Sequence, residues 1–190
     1  MEALKLKTVD DLLLAQQQNE RIELINGDLV KRPMARSEHS FVQGSLSDEM
    51  LFFKRQRDHS GWWILPEVSV RYSDNHCPVH DLAGWRKERV PQRPTGVSDI
   101  LPDWVCEITS PGHERKDVFG MLISLQHYQV PYYWVISPED KSILVYELAD
   151  GAYRLTFSMH CDAADTCQQL LIPPFTEQGL NFAYVFGYED

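Results

Sequence analysis

Two stretches of the chain space their apolar residues three or four apart, as one face of a helix requires. Val42, Leu46, Met50 and Phe53 form the first, which Ser37 can cap and Gly61 can stop. Val118, Leu122, Leu125 and Tyr128, with Met121 beside them, form the second, which Pro131 ends. A shorter helix is predicted from Thr8 to about Gln18, where Thr8 and Asp11 have the spacing of a capping box with Asp in the Glu position. Strands are predicted where the pattern alternates or closes into short apolar runs. RIELI and DLVKRP flank Asn26-Gly27, the strongest short hairpin signal. WWILPEVSVRY is a strand that Pro66 assigns to an edge or a bulge. WVCEITS and YYWVI suit buried central strands, and the helix between them makes a right-handed β-α-β unit. Residues 73–101 are the least regular and hold a short strand at about 79–84. SILVYEL, GAYRLTF and LNFAYVF add antiparallel strands or a short helix. With no repeat or linker in the series, residues 1–190 are expected to form one α/β domain, a mixed sheet flanked by helices.

Composition narrows the classes. Apolar residues make up 43% and charged residues 24% of 190, which excludes a disordered chain. No apolar run approaches the roughly 20 residues that span a bilayer, so no membrane association is expected. The start of the chain lacks a signal peptide's apolar core, so a cytoplasmic location is expected. Four cysteines without a Cys-x-x-Cys pair read as reduced thiols. A net charge of −10 opposes indiscriminate coating of nucleic acid. It leaves room for a local patch, and basic residues do cluster at Lys31, Arg32 and Arg36, at Lys54, Arg55 and Arg57, and at Arg86, Lys87, Arg89 and Arg93.

Candidate chemistry centres on two acids. Glu107 stands inside WVCEIT, where a buried carboxylate costs several kcal/mol unless it is paired, protonated or bound to a cation. Asp81 lies on the preceding short strand. Carboxylates from adjacent strands can hold Mg²⁺, which takes oxygen ligands and keeps several waters. Other candidates are weaker. His76, Cys77 and His80 lack the second half of a zinc site. Cys106 belongs to a buried strand, where an inert core thiol is the better reading. Asp103 lies about 13 Å along the strand from Glu107, too far to share one ion. Trp62, Trp63, Tyr132, Tyr133 and Trp134 read as core rather than as a base-stacking platform.

In order, RIELINGDLVKRP, SEHSFVQGSL, VHDLAGW, LPDWVCEITSPG and YQVPYYWVISPEDKSILVYEL resemble the putative restriction endonuclease family of bacteria, within the PD-(D/E)XK nuclease superfamily. EITSP and VPYYWVISP are the most specific strings. The resemblance implies a restriction-endonuclease-like core with extra antiparallel strands at the C-terminus. It implies cleavage of nucleic acid, DNA first, with Mg²⁺ or Mn²⁺ as cofactor and a homodimer by the superfamily's habit. Carried over by position, Asp81 and Glu107 would be catalytic acids and metal ligands, the Ile108 carbonyl a further ligand, and Glu23 and His39 additional active-site residues. The chain departs from the family in two places. His80 stands where Pro usually precedes the Asp, and the superfamily's lysine is replaced by Thr109, its displaced equivalent falling on Met121. Lys116, about one helical turn away, is the expected substitute. Arg86, Lys87 and Arg89 are the expected nucleic-acid contact. A nuclease and a catalytically degenerate binding module of the same fold both stay open.

Overall fold

Thr8 opens the first helix as its sequence predicts: its hydroxyl accepts from the Asp11 N–H while Asp11 accepts from the Thr8 N–H, leaving helix α1 at Val9–Gln16. The computed structural model describes residues 6–18, 21–110 and 114–188, and only the backbone at 114–117. Strands β1 (Ile22–Ile25) and β2 (Asp28–Lys31) form the hairpin, with Asn26 and Gly27 at φ 51° and 89°. Both turn residues are left-handed, which the twist of a two-residue hairpin requires and Asn-Gly tolerates.

The long helix departs from expectation. Helix α2 covers Ser37–Glu49, so Ser37 is its first residue rather than its cap, and a break at Met50 starts the short helix α3, Leu51–Arg55. The apolar stripe survives the break, since Val42, Leu46, Met50 and Phe53 are all buried. Then follow β3 (Trp62–Ser69), β4 (Val79–Arg86), β5 (Trp104–Ile108), α4 (Glu114–His127), β6 (Tyr132–Ser137), β7 (Ser142–Ala149) and β8 (Ala152–His160). A small ladder of β9 (Leu170–Ile172) and β10 (Phe175–Leu180) precedes α5 (Phe182–Val185). The C-terminal stretch LNFAYVF resolves as this short helix.

One sheet orders β3 to β8 in sequence, antiparallel throughout except for the parallel pair β5–β6 that α4 connects. This is the predicted mixed sheet flanked by helices, with β3, the strand carrying Pro66, on its edge. One face packs on α2, α3 and α5, where Phe175 meets Phe53, Trp62, Trp104 and Trp134 at ring centroid distances of 4.8 to 5.5 Å. Val105, Tyr133 and Val135 line the other face with Leu125 of α4. Fully buried aromatic rings bury the most apolar area per residue, so these two layers supply most of the sheet's stabilisation. Cys161 and Cys167, expected as reduced thiols, are joined as a disulfide because the turn at Ala164–Thr166 brings their Cα atoms to 5.7 Å. Cys77 and Cys106 are buried thiols, in keeping with their reading as packing residues. Among the described residues no helix is long and apolar enough to cross a membrane.

The hairpin docks through Leu24, whose N–H and carbonyl pair with Cys77, and through a buried histidine. His76 Nδ1 accepts the Asn26 N–H at 3.3 Å and its Nε2 lies 2.8 Å from the Ser124 hydroxyl on α4. A neutral ring with its proton on Nε2 satisfies both bonds. Burial lowers the His76 pKa below its ordinary value near 6.5. On acidification the unfolded chain therefore takes up this proton first, so the latch's contribution is complete above about pH 6.5 and declines below it. The stability difference between wild type and His76→Gln, measured by urea unfolding, should accordingly shrink from pH 7.5 to pH 5.5. A difference constant over that range would remove His76 as a neutral latch.

Candidate active site and metal centre

The site opens where two neighbouring strands part. The β4–β5 ladder pairs Leu82–Gly84 with residues 104–106 and goes no further, while β5 stays paired with β6 to Ile108. The Ile108 N–H, left without a backbone acceptor on the β4 side, is taken by Asp81 Oδ2 at 2.8 Å. A side chain thus replaces the missing rung, since a buried N–H without a partner costs about 1–3 kcal/mol. Continuing the register by one residue sets Asp81 opposite Glu107, the two acids singled out from the sequence.

On the other side of β4 the edge strand bends. Glu67 has φ +48°, a left-handed value uncommon for residues other than glycine, and the β3–β4 pairing skips it between Pro66↔Leu82 and Val68↔His80. Its carboxylate is held by Arg21 at 3.0 Å, Arg32 at 2.5 Å and Gln43 at 3.2 Å. His80 is fully buried, with Nδ1 2.6 Å from Glu107 Oε1 and Nε2 2.9 Å from the Tyr72 hydroxyl.

Between the parting strands, the hairpin and α4 lies a cavity of about 160 Å³. Glu23, His39, Asp81, Glu107 and Ile108 all line it, so the structure brings together five of the residues expected at the site. Thr109 and Met121, the two positions without the lysine, line it as well. Lys116, the expected substitute, has its side chain outside the described residues. Arg86, Lys87 and Arg89 are not brought to the cavity: they lie at the opposite end of β4, roughly 17 Å from Asp81 at about 3.3 Å per residue. There Lys87 donates to the Lys54 and Gln56 carbonyls, and Arg89 pairs with Asp103 at 2.8 Å.

Sequence reasoning did not single out Arg21, Glu67 or Gln43, placed Arg32 only in a basic cluster, and saw His80 only as a weak zinc candidate and a departure from the family's pattern. Arg32 reaches Asp81 Oδ1 at 3.3 Å, and His39 Nε2 reaches the same oxygen at 3.4 Å. The local signal that could have flagged Glu67 is its place directly after a proline in an otherwise apolar edge strand.

The electrostatics follow from burial and crowding of like charge. Glu107 is pushed well above the ordinary carboxylate range by burial first and by the Asp81 charge second, with Arg32 pulling the other way. Burial lowers His80 to about 3, so the ring is neutral. Burial also opposes protonation of His39, but its hydrogen bond to Asp81 and that carboxylate's charge outweigh it and raise the value. Tyr133 lines the cavity, and its buried hydroxyl has no hydrogen-bond partner among the described residues.

A cation suits this surplus of negative charge. Asp81, Glu107 and the Ile108 carbonyl offer the hard oxygen donors that Mg²⁺ and Mn²⁺ take. Among the described residues, one group of three possible ligands lies together: His39, Glu67 and Asp81, with donor atoms within 4.8 Å of one another. His76, Cys77 and His80 belong to no such group there.

The family model described as "Uma2: Putative restriction endonuclease" matches residues 8–181 of this chain. No curated protein matches it. Among solved structures the chain is similar to one described as a putative nuclease belonging to DUF820, from Anabaena variabilis. The two share 20% sequence identity and superpose with a TM-score of 0.74, over 95% of this chain and 98% of that one. At this identity the likeness concerns the fold.

The His80–Glu107 bond generates a direct test. Replacing His80 with Leu leaves the Glu107 carboxyl and the Tyr72 hydroxyl without their partner, at about 1–3 kcal/mol for an unsatisfied buried group. Urea unfolding at pH 7 should show that loss, and His80→Gln, which retains a donor, should recover part of it. Equal stability of His80→Leu and wild type would rule out the contact.

Proposed function

The chain belongs to the Uma2 family of putative restriction endonucleases, and from that premise we propose that it is a divalent-metal-dependent nuclease that hydrolyses phosphodiester bonds, with DNA as first candidate. The observation that carries this reading is the meeting of Asp81 and Glu107 on one cavity where β4 and β5 part, with the Ile108 peptide held by Asp81 itself.

Asp81, Glu107 and the Ile108 carbonyl would hold the ion. When bound, it supplies positive charge beside the phosphate and makes water a better nucleophile. The chain's own groups do the rest. Asp81 Oδ2 stays on the Ile108 N–H, which orients the carboxylate and fixes the residue whose carbonyl would be a ligand. His80, neutral and backed by Tyr72, holds Glu107 Oε1 in place. His39 and Arg32 cover Asp81 Oδ1 from the α2 and hairpin sides. Lys116 is the candidate to steady the attacking water. In the net reaction a P–O bond to water forms, the ester P–O bond breaks, and the leaving oxygen takes a proton.

Thr109 and Met121 favour the second reading, a degenerate nuclease fold that binds without cutting. Neither side chain carries charge, and Met has no donor. Plasmid and single-stranded DNA incubated with Mg²⁺, Mn²⁺ or chelator separate the two readings. Cleavage should require the ion and fall about 10²–10³-fold in Asp81→Asn and in Glu107→Gln, the scale of losing one electrostatic stabiliser. Lys116→Ala should fall comparably if that lysine serves. A folded wild type that binds Mn²⁺ and leaves both DNAs intact would replace the nuclease with the binding module.

Contact with nucleic acid through Arg86, Lys87 and Arg89 is part of the same proposal. A duplex reaching from the cavity to these residues would cover about five base pairs at 3.4 Å each. Affinity should then fall steeply with salt, and a triple alanine variant should bind more weakly with a shallower salt slope. Unchanged affinity on filter binding would leave this end of the sheet without a role.

A further inference from the structure

Arg32 follows the last residue of the hairpin strand β2, with its N–H bonded to the Arg21 carbonyl at 2.8 Å. Its side chain is only 16% exposed, and the guanidinium bridges two strands of the main sheet, Nη1 to Glu67 Oε2 at 2.5 Å and Nη2 to Asp81 Oδ1 at 3.3 Å. Those carboxylates, with His39 Nε2 3.4 Å from the same Asp81 oxygen, are the three potential ligands gathered within 4.8 Å. Atoms at that spacing can be spanned by one ion with bonds of about 2.0–2.4 Å. An ion there would have to share Oδ1 with a guanidinium already in hydrogen-bond contact, and two positive charges at that range repel beside a largely buried carboxylate.

We propose that Arg32 is the built-in second cation of this site: it fills the position between Glu67 and Asp81 where, with His39, a second divalent ion would otherwise bind. The site then takes a single ion, on the Asp81–Glu107 side, and Arg32 supplies there part of the positive charge that Thr109 and Met121 do not. Among the described residues four carboxylates line the cavity, Glu23, Glu67, Asp81 and Glu107, and a fixed guanidinium neutralises the Glu67–Asp81 pair without depending on metal concentration. Arg suits the task because its planar fork reaches two carboxylates at once and never loses its charge. The feature is written in the hairpin: the register of β1 with β2 sets Arg32 beside Arg21, and the bend at Glu67 brings the acceptor to both.

The inference rests on the metal-dependent reading for the first ion only, and it is tested by counting ions. Isothermal titration with Mn²⁺ should give one ion per wild-type chain and two per Arg32→Gln chain. Adding His39→Ala to Arg32→Gln should return the count to one, and Arg32→Lys, which retains the charge, should stay at one. If Arg32→Gln does not fold, Arg32→Met, which keeps the packing of the side-chain stem, carries the same comparison. A count of one in the charge-removing variant, a count of two in wild type, or loss of all binding in the variant would each overturn the proposal. The count is read without turnover, so absence of cleavage by wild type speaks to the nuclease reading, and the stoichiometry speaks to Arg32.

Discussion

Carboxylates crowded at one end of the sheet, with Asp81 and Glu107 largely withdrawn from water, must be neutralised by the groups around them, and most of the site is the response to that requirement. Asp81 is answered three times, by the Ile108 N–H, by Arg32 and by His39. Glu67 is answered by two arginines and a glutamine. Glu107 is answered by a neutral histidine, which shares a hydrogen bond but contributes no charge. That asymmetry leaves the negative form of Glu107 less supported by the described residues than that of Asp81 or Glu67, pushed up by burial and by Asp81. A divalent ion placed beside it would supply the missing charge.

The rest of the fold gives this arrangement its rigidity. β5 is paired on both sides, so Glu107 and Ile108 are delivered by a strand that cannot slide without breaking two ladders. The aromatic layer around Phe175 anchors one face, and α4 closes the other. The parting of β4 from β5 is therefore local: it begins only where Asp81 takes over from the backbone as acceptor.

His80 shows how a departure from a familial pattern can be absorbed. A proline before Asp81 would have no side chain able to bond Glu107, whereas the imidazole spans from Tyr72 to that carboxylate. The neutral ring costs less to bury than a charged partner would, which fits a site already rich in charge. Arg32 answers the other departure from a different direction, across the hairpin rather than along β5 or α4.

How much of this was legible beforehand depends on the range of each interaction. The capping box at Thr8, the Asn-Gly hairpin and the β5–α4–β6 unit follow from patterns within a few residues, and each stands in the structure where periodicity put it. Glu107 stood out because a charge inside an apolar run conflicts with burial whatever the surroundings, and the family's motifs singled out Asp81, Ile108, Glu23 and His39, which share its cavity. What the pattern could not determine is what meets at a distance. Arg32 and Asp81 lie 49 residues apart, and Glu67 and Gln43 lie 24 apart. The left-handed residue at Glu67 and the break at Met50 depend on packing that no local spacing encodes. The basic residues at 86–89, the expected nucleic-acid contact, follow Asp81 closely in sequence, yet an extended strand carries them away from the cavity. Hydrophobic periodicity is a local property and determined the elements; the partners of the buried charges depend on strand register and hairpin docking, which only the tertiary structure decided.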